Sequence, residues 1–329
     1  MTQSKIQDSG FSLPRRFVAA WDFNPLLSIF VLFHAALAVV GFVGIAADPR
    51  EILNSPVWAK TTKFALSLFI YGASLLWMLT FLKSKPRASR FLGAGISVVL
   101  FVEIALILIQ NILRGVPVHF NQATTFDTIM WRVMSGGIMV FYLLDIAAAI
   151  FLLREKIENR AVAWSIRLGM LLAIVGFGLG FLMTGPTATQ LAALEAGKQI
   201  DMMGAHNVGA FVDGQTRMIP FLGWNMDGGD LRIPHFVGIH GLQFVPLIAL
   251  IASRMKMLSE RRRLALVGLG ASFYFGLTML VTWQALRNQS IIAPDALTLL
   301  AFGALLIVFG GFSAWLVLSE RKAETRLSR

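Results

Sequence analysis

Eight apolar runs alternate with polar segments along the chain, each close to the ~20 residues needed to cross a bilayer core of about 30 Å. They fall at about 27–47, 62–83, 92–113, 135–153, 162–184, 233–252, 264–286 and 294–318. A helix satisfies its own backbone hydrogen bonds in lipid, so runs of this length predict an all-α polytopic membrane protein with eight transmembrane helices. Three regions follow: a cytoplasmic surface segment at 1–26, a membrane domain at 27–318, and a basic cytoplasmic tail at 319–329. Within the membrane domain, the connection at 185–232 is far longer than a plain connector and is expected to form a structured outer lid. Its first part, PTATQLAALEAGKQI, reads as a short helix with Pro186 in the first turn.

Composition agrees with the pattern: 56% of residues are hydrophobic, only 14% are charged, and mean hydropathy is +0.70. The formal charge of +11 is explained by where the basic residues lie. Segments 1–26, 83–91, 154–161, 253–263 and 319–329 hold 19 Lys and Arg, against 9 in the opposite set of loops. The positive-inside rule then places the protein in a cell (plasma or inner) membrane with both termini cytoplasmic. The charge is a topology signal, and no nucleic-acid partner is expected. Membrane lipids and a small ligand or ion from the outer side are, and a homo-oligomer is compatible with the sequence. No cysteine is present, which excludes disulfides, thiolate ligands and thiol redox chemistry. The N-terminus has no apolar core ending in a small-residue cleavage site, so no removed signal peptide is expected.

Candidate chemistry falls into two groups. His34, Glu103, Asp145 and His240 interrupt four different apolar runs and are the candidate catalytic set. Counted at about 1.5 Å per residue from the run ends, they share a slab near mid-membrane, where an unpaired charge is costly. Glu103 and Asp145 are expected at equal depth on adjacent helices, placed to share a proton or a cation. The second group is the outer set His119, His206, His235 and His240 with Asp127, Asp213, Asp227 and Asp230. Imidazole with carboxylate suits a divalent metal, so His119, His206, His235, His240 and Asp230 are candidate ligands. His206, His235 and His240 are the candidate cofactor ligands. Gln243, three residues beyond His240, is placed to orient its ring or the ligand.

Two four-helix halves are suggested by QNILRG before a loop with Asp127 and QALRN before Asp295. Eight spans in two halves with outer-facing histidines are similar in layout to haem A synthases. The second, fourth and eighth runs lack histidine, a departure that removes a paired-histidine haem in each half. The leading expectation is an outward-opening His/carboxylate pocket in a membrane oxidoreductase that binds haem or a divalent metal. The alternatives are a proton- or cation-coupled transporter or channel using the intramembrane Glu/Asp/His relay, and a cofactor-free membrane binding or assembly subunit.

Overall fold

The computed structural model describes residues 21–209 and 216–327, with side chains as far as residue 319. Most of the 1–26 segment, Asp213 and the end of the basic tail lie outside the described residues. The eight expected spans are present as helices long and apolar enough to cross a membrane. In chain order they are α1 (Pro25–Ala47), α2 (Val57–Leu79), α3 (Pro86–Ile107, continued as a π-turn over Leu108–Leu113), α4 (Thr125–Arg154) and α5 (Arg160–Leu179). The short α6 (Ala188–Glu195) follows outside the bundle. The sixth span is split into α7 (Arg232–Ile239) and α8 (Gly241–Arg254). The seventh is α9 (Glu260–Leu286), and the eighth is α10 (Ala296–Leu305) and α11 (Gly311–Leu327) joined by a π-turn.

Local chemistry sets the ends. Asn24 accepts the Leu27 amide to cap α1, and Thr124 accepts the Asp127 amide to cap α4. In α6, Thr187 and Gln190 form a reciprocal capping box. Of the boundaries that differ from the sequence reading, two bear on the site. Helix α4 starts at Thr125 rather than near 135, because that cap and the ion pair of Asp127 with Arg114 support ten residues of mixed polarity ahead of the apolar run. Helix α2 starts at Val57 rather than near 62, directly after Pro56, which brings two lysines into its first turns.

Spans α1 to α5 share one core built on Leu27, Phe30, Leu75, Met78, Ile96 and Ile166. A second core joins α5, α8 and α9 through Leu172, Val245, Val267 and Ala271. The last span packs on α9 alone among the major contacts, and Thr298 is the buried residue of α10. Apolar side chains on the bundle periphery, among them Val39, Val43, Leu300 and Ile307, are exposed and give the protein its lipid-facing surface. The two motif copies noted in sequence carry the same device. Arg114 pairs with Asp127 at the start of α4, and Arg287 pairs with Asp295 at the start of α10 at 2.6 Å.

Candidate functional site

All the long loops meet at one end of the bundle, termed the lid face. Backbone hydrogen bonds stitch the lid down. Met203 donates to Phe120 O at 3.0 Å, Ala205 to Met183 O at 3.1 Å, and Leu231 to His206 O at 2.8 Å. Gly229 donates to Asn288 Oδ1 at 3.0 Å, tying the lid to the end of α9. Gly204 sits at φ +106, where a Cβ would strike Met183 O and the Phe120 ring, so only glycine lets the strand of chain carrying His206 lie this close.

These ties bring together side chains that sequence separates widely. The His119 and His206 rings stand 6.3 Å apart between centroids. Around them lie Phe64, Phe120 and Trp131, each within 6 Å of His119. His235 and Arg232 on α7, and Lys60 on α2, are within electrostatic reach of His119; Arg232, Lys60 and Lys63 are within reach of His206. Lys60 and Lys63 are three residues apart, as are Arg232 and His235, so each pair projects from one helix face toward the same space. Each of these six side chains keeps part of its surface accessible.

The donors here outnumber the acceptors. Lys63 Nζ donates to Leu222 O at 2.8 Å. Beside them, Gly223 has φ +66, and a Cβ on it would lie 3.4 Å from Lys63 Nζ and 3.9 Å from Arg232 Nη1. Lys60 makes no hydrogen bond or ion pair among the described residues, and its charged neighbours are Lys63 and Arg232. Asp230 is the carboxylate of the group, and it is already saturated. It accepts the Asn225 amide at 2.9 Å, the Arg232 amide at 3.0 Å, and the Arg232 guanidinium at 2.9 Å (Nε) and 2.5 Å (Nη2). Arg232 Nη1 has no acceptor among the described residues.

The imidazoles answer to this field. Burial, then the neighbouring side chains of Lys60, His235 and Arg232, hold His119 well below its ordinary range. Burial and then Arg232, Lys60, His119 and Lys63 do the same to His206. Both are therefore neutral at pH 7. His235 Nδ1 lies 2.8 Å from Gly176 O, and a carbonyl can only accept, so Nδ1 carries the proton and Nε2 is bare. This bond needs α5 and α7 in backbone contact: a Cβ at Gly176 or Gly238 would collide with the other residue's main chain. Gly176→Val should accordingly push the helices apart, with an expected loss of about 1–3 kcal/mol. Thermal melting of the purified variant checks this, and a melt identical to wild type would show that the contact is not required.

The other candidate residues stand apart from this pocket. His240 occupies the break between α7 and α8, half-buried, with Nδ1 donating to Phe236 O at 2.8 Å and its ring 4.2 Å from Phe236. Gln243 donates to Ser74 Oγ on α2 at 3.0 Å instead of meeting His240. His34 is fully buried among Phe30, Phe33 and Phe101, with Nδ1 donating to Phe30 O. Glu103 Oε1 lies against Gly137 of α4 with no hydrogen-bond partner among the described residues, whereas Asp145 accepts from Tyr71 OH at 2.8 Å. Gly137 and Asp145 are eight residues apart, about 12 Å along the helix, so Glu103 and Asp145 are not the facing pair the sequence suggested. Counted from 135, Asp145 falls at the depth of Glu103, but α4 begins ten residues earlier. Asp127 is engaged with Arg114, Gln110 and Thr124, and Asp227 with Arg217. Among the described residues no three His, Asp or Glu side chains are placed to hold a metal ion. The proposed ligand set of His119, His206, His235, His240 and Asp230 does not converge, because Asp230 is turned onto Arg232 and His240 onto Phe236.

Lys60, Lys63 and Arg232 were missed as site residues because their charges were counted toward topology. Their three-residue spacings, Lys60 to Lys63 and Arg232 to His235, were the available signal. No protein-family model, curated protein or solved structure matches the chain.

Proposed function

We propose that this integral membrane protein binds a small oxyanion, of the carboxylate or phosphate class, in the pocket at its lid face. The 19-to-9 distribution of Lys and Arg supports an outward orientation for that face. One observation carries the reading. Lys60, Lys63 and Arg232 converge with three imidazoles, and their one carboxylate, Asp230, is already saturated. An oxyanion supplies what this arrangement lacks, acceptors for Lys60 Nζ and Arg232 Nη1 in a partly dehydrated setting where such bonds are strong. The same positive field opposes a divalent cation among the imidazoles, which weakens the metal reading.

The neutral histidines give the ligand a proton signature. An anion beside His119 and His206 offsets the burial and the cations that hold their protons off, so both are drawn back toward the ordinary value of about 6.5. Binding should therefore take up protons near and below about pH 6.5, and affinity should rise as pH falls through about 6.5 while the ligand stays ionised, approaching about tenfold per unit for each proton only below that value. Without ligand the sign of the stability effect is the opposite. The lowered histidines favour the folded state above about pH 6.5, and that contribution fades as the unfolded chain protonates below it.

Calorimetric titration of the full chain in neutral-lipid nanodiscs tests the reading. The titrants are sodium phosphate, sodium succinate and dispersed phosphatidic acid, with sodium chloride at equal ionic strength as control. The phosphate arms separate a free anion from a lipid headgroup. Saturable binding of an oxyanion, with proton uptake when buffers of different ionisation heat are compared, supports it. Heats no larger than those of chloride for all three titrants would refute it.

A further inference from the structure

We infer that Asp145 and Tyr71 form a proton-binding site inside the bundle, one aromatic ring deeper than the anion pocket and distinct from it. Asp145 on α4 has no exposed surface. Its Oδ1 accepts from Tyr71 OH at 2.8 Å, while Oδ2 is enclosed and has no hydrogen-bond partner among the described residues. The surroundings are apolar: the Tyr71 ring packs at 5.5 Å on Phe141 and 6.1 Å on Phe177, beside buried Ala148, Ala149 and Ala173. Among the described residues, no helix packed here offers a cation. From α2 the titratable neighbour is Tyr71 itself; on α3, Glu103 lies at the level of Gly137, about 12 Å away along α4. On α5, Arg167 gives its guanidinium to Glu155 O at 3.0 Å, at the far end of α4.

An ionised carboxylate with one oxygen uncompensated in such a place costs several kcal/mol. A proton on Oδ2 removes that charge and leaves Oδ1 free to keep the Tyr71 bond. A metal ion would need several more oxygen ligands than this pair supplies. The proton has a short route to the lid face. The Phe177 ring lies 6.1 Å from Tyr71 on one side and 6.3 Å from His235 on the other, and His235 Nε2 is a bare acceptor in the anion pocket. Phe177 is thus the ring separating the two sites, and its rotation opens or closes exchange between them.

Infrared spectroscopy of the full chain in neutral-lipid nanodiscs, in H2O and after transfer to D2O, tests this without any anion present and so independently of the pocket. A protonated-carboxyl C=O band should be lost in Asp145→Asn, shift in Tyr71→Phe, and exchange into D2O faster in Phe177→Ala than in wild type. Glu103→Gln serves as the control that removes a different carboxyl. If Asp145→Asn fails to fold, the Tyr71→Phe shift carries the assignment. Retention of every carboxyl band in Asp145→Asn, or no shift in a folded Tyr71→Phe, would overturn the site. Unchanged exchange in Phe177→Ala would overturn its connection to the pocket.

Discussion

Replacing Lys60 with methionine should weaken oxyanion binding by roughly 10- to 150-fold while making the anion-free protein more resistant to heat. The first effect follows from losing one hydrogen bond to a charged partner, worth about 1.5–3 kcal/mol, with each 1.4 kcal/mol a factor of ten. The second follows from the neighbours of Lys60. It has no counter-ion among the described residues, and the charges nearest it, Lys63 and Arg232, repel it. Methionine fills similar space without that repulsion. Opposite signs for affinity and stability are what a binding site held open against its own charge should show. A lysine that merely packed the bundle would give the reverse: a lower melting point and no change in any titration. Calorimetry and thermal melting on the same preparation read both quantities.

Asp230→Asn should be the most damaging single change at the lid face, lowering stability by about 3–5 kcal/mol. The carboxylate is 1% exposed and serves four donors, two from the Arg232 side chain and two from the amides of Asn225 and Arg232. An amide of the same shape turns an NH2 toward one of these donors and leaves the guanidinium without its counter-charge. The freed Arg232 then becomes available to the ligand, so added phosphate should raise the melting temperature of the variant more than that of wild type. Equal melting of variant and wild type without ligand would mean the pair contributes nothing. Equal protection by phosphate would mean Arg232 does not face the ligand.

The spans themselves were legible because a bilayer imposes length and composition so strictly that the eight runs could be read by counting. What lay beyond that rule was not. The start of α4 was placed near 135 because Thr125–Met134 is mixed in polarity; the cap from Thr124 and the Arg114–Asp127 pair, formed across a loop, decide that those residues are helical. That error carried into depth, and it put Glu103 and Asp145 side by side when two turns of helix separate them. Residues 114–124 and 200–231 carry no periodicity that would show which of their side chains face inward. His119 and His206 were found by residue type, but their proximity depends on backbone hydrogen bonds between Phe120 and Met203 and between His206 and Leu231. The lysines were visible but read only as charge: a basic residue near the end of a span reads first as an anchor or a topology signal. Tyr71 gave no sign in sequence, since an isolated tyrosine in an apolar run is unremarkable until its hydroxyl is seen against Asp145.

The break at His240 has a mechanical consequence. Above it, the eight residues of α7 hold Arg232 and His235 and are fastened to Asp230, to Gly176 and, through Val237 O, which accepts from Tyr274 OH, to α9. Below it, α8 carries Pro246 and a row of lipid-exposed leucines and isoleucine, Leu247, Leu250 and Ile251. A span in one piece would transmit any tilt imposed by a thicker or thinner bilayer directly to its tip. Divided in this way, the sixth span works as a knee. Its lower half is keyed to α5 and α9 through Leu242, Val245 and Ala249, while its upper half is tied to the lid, so the two halves answer to different neighbours.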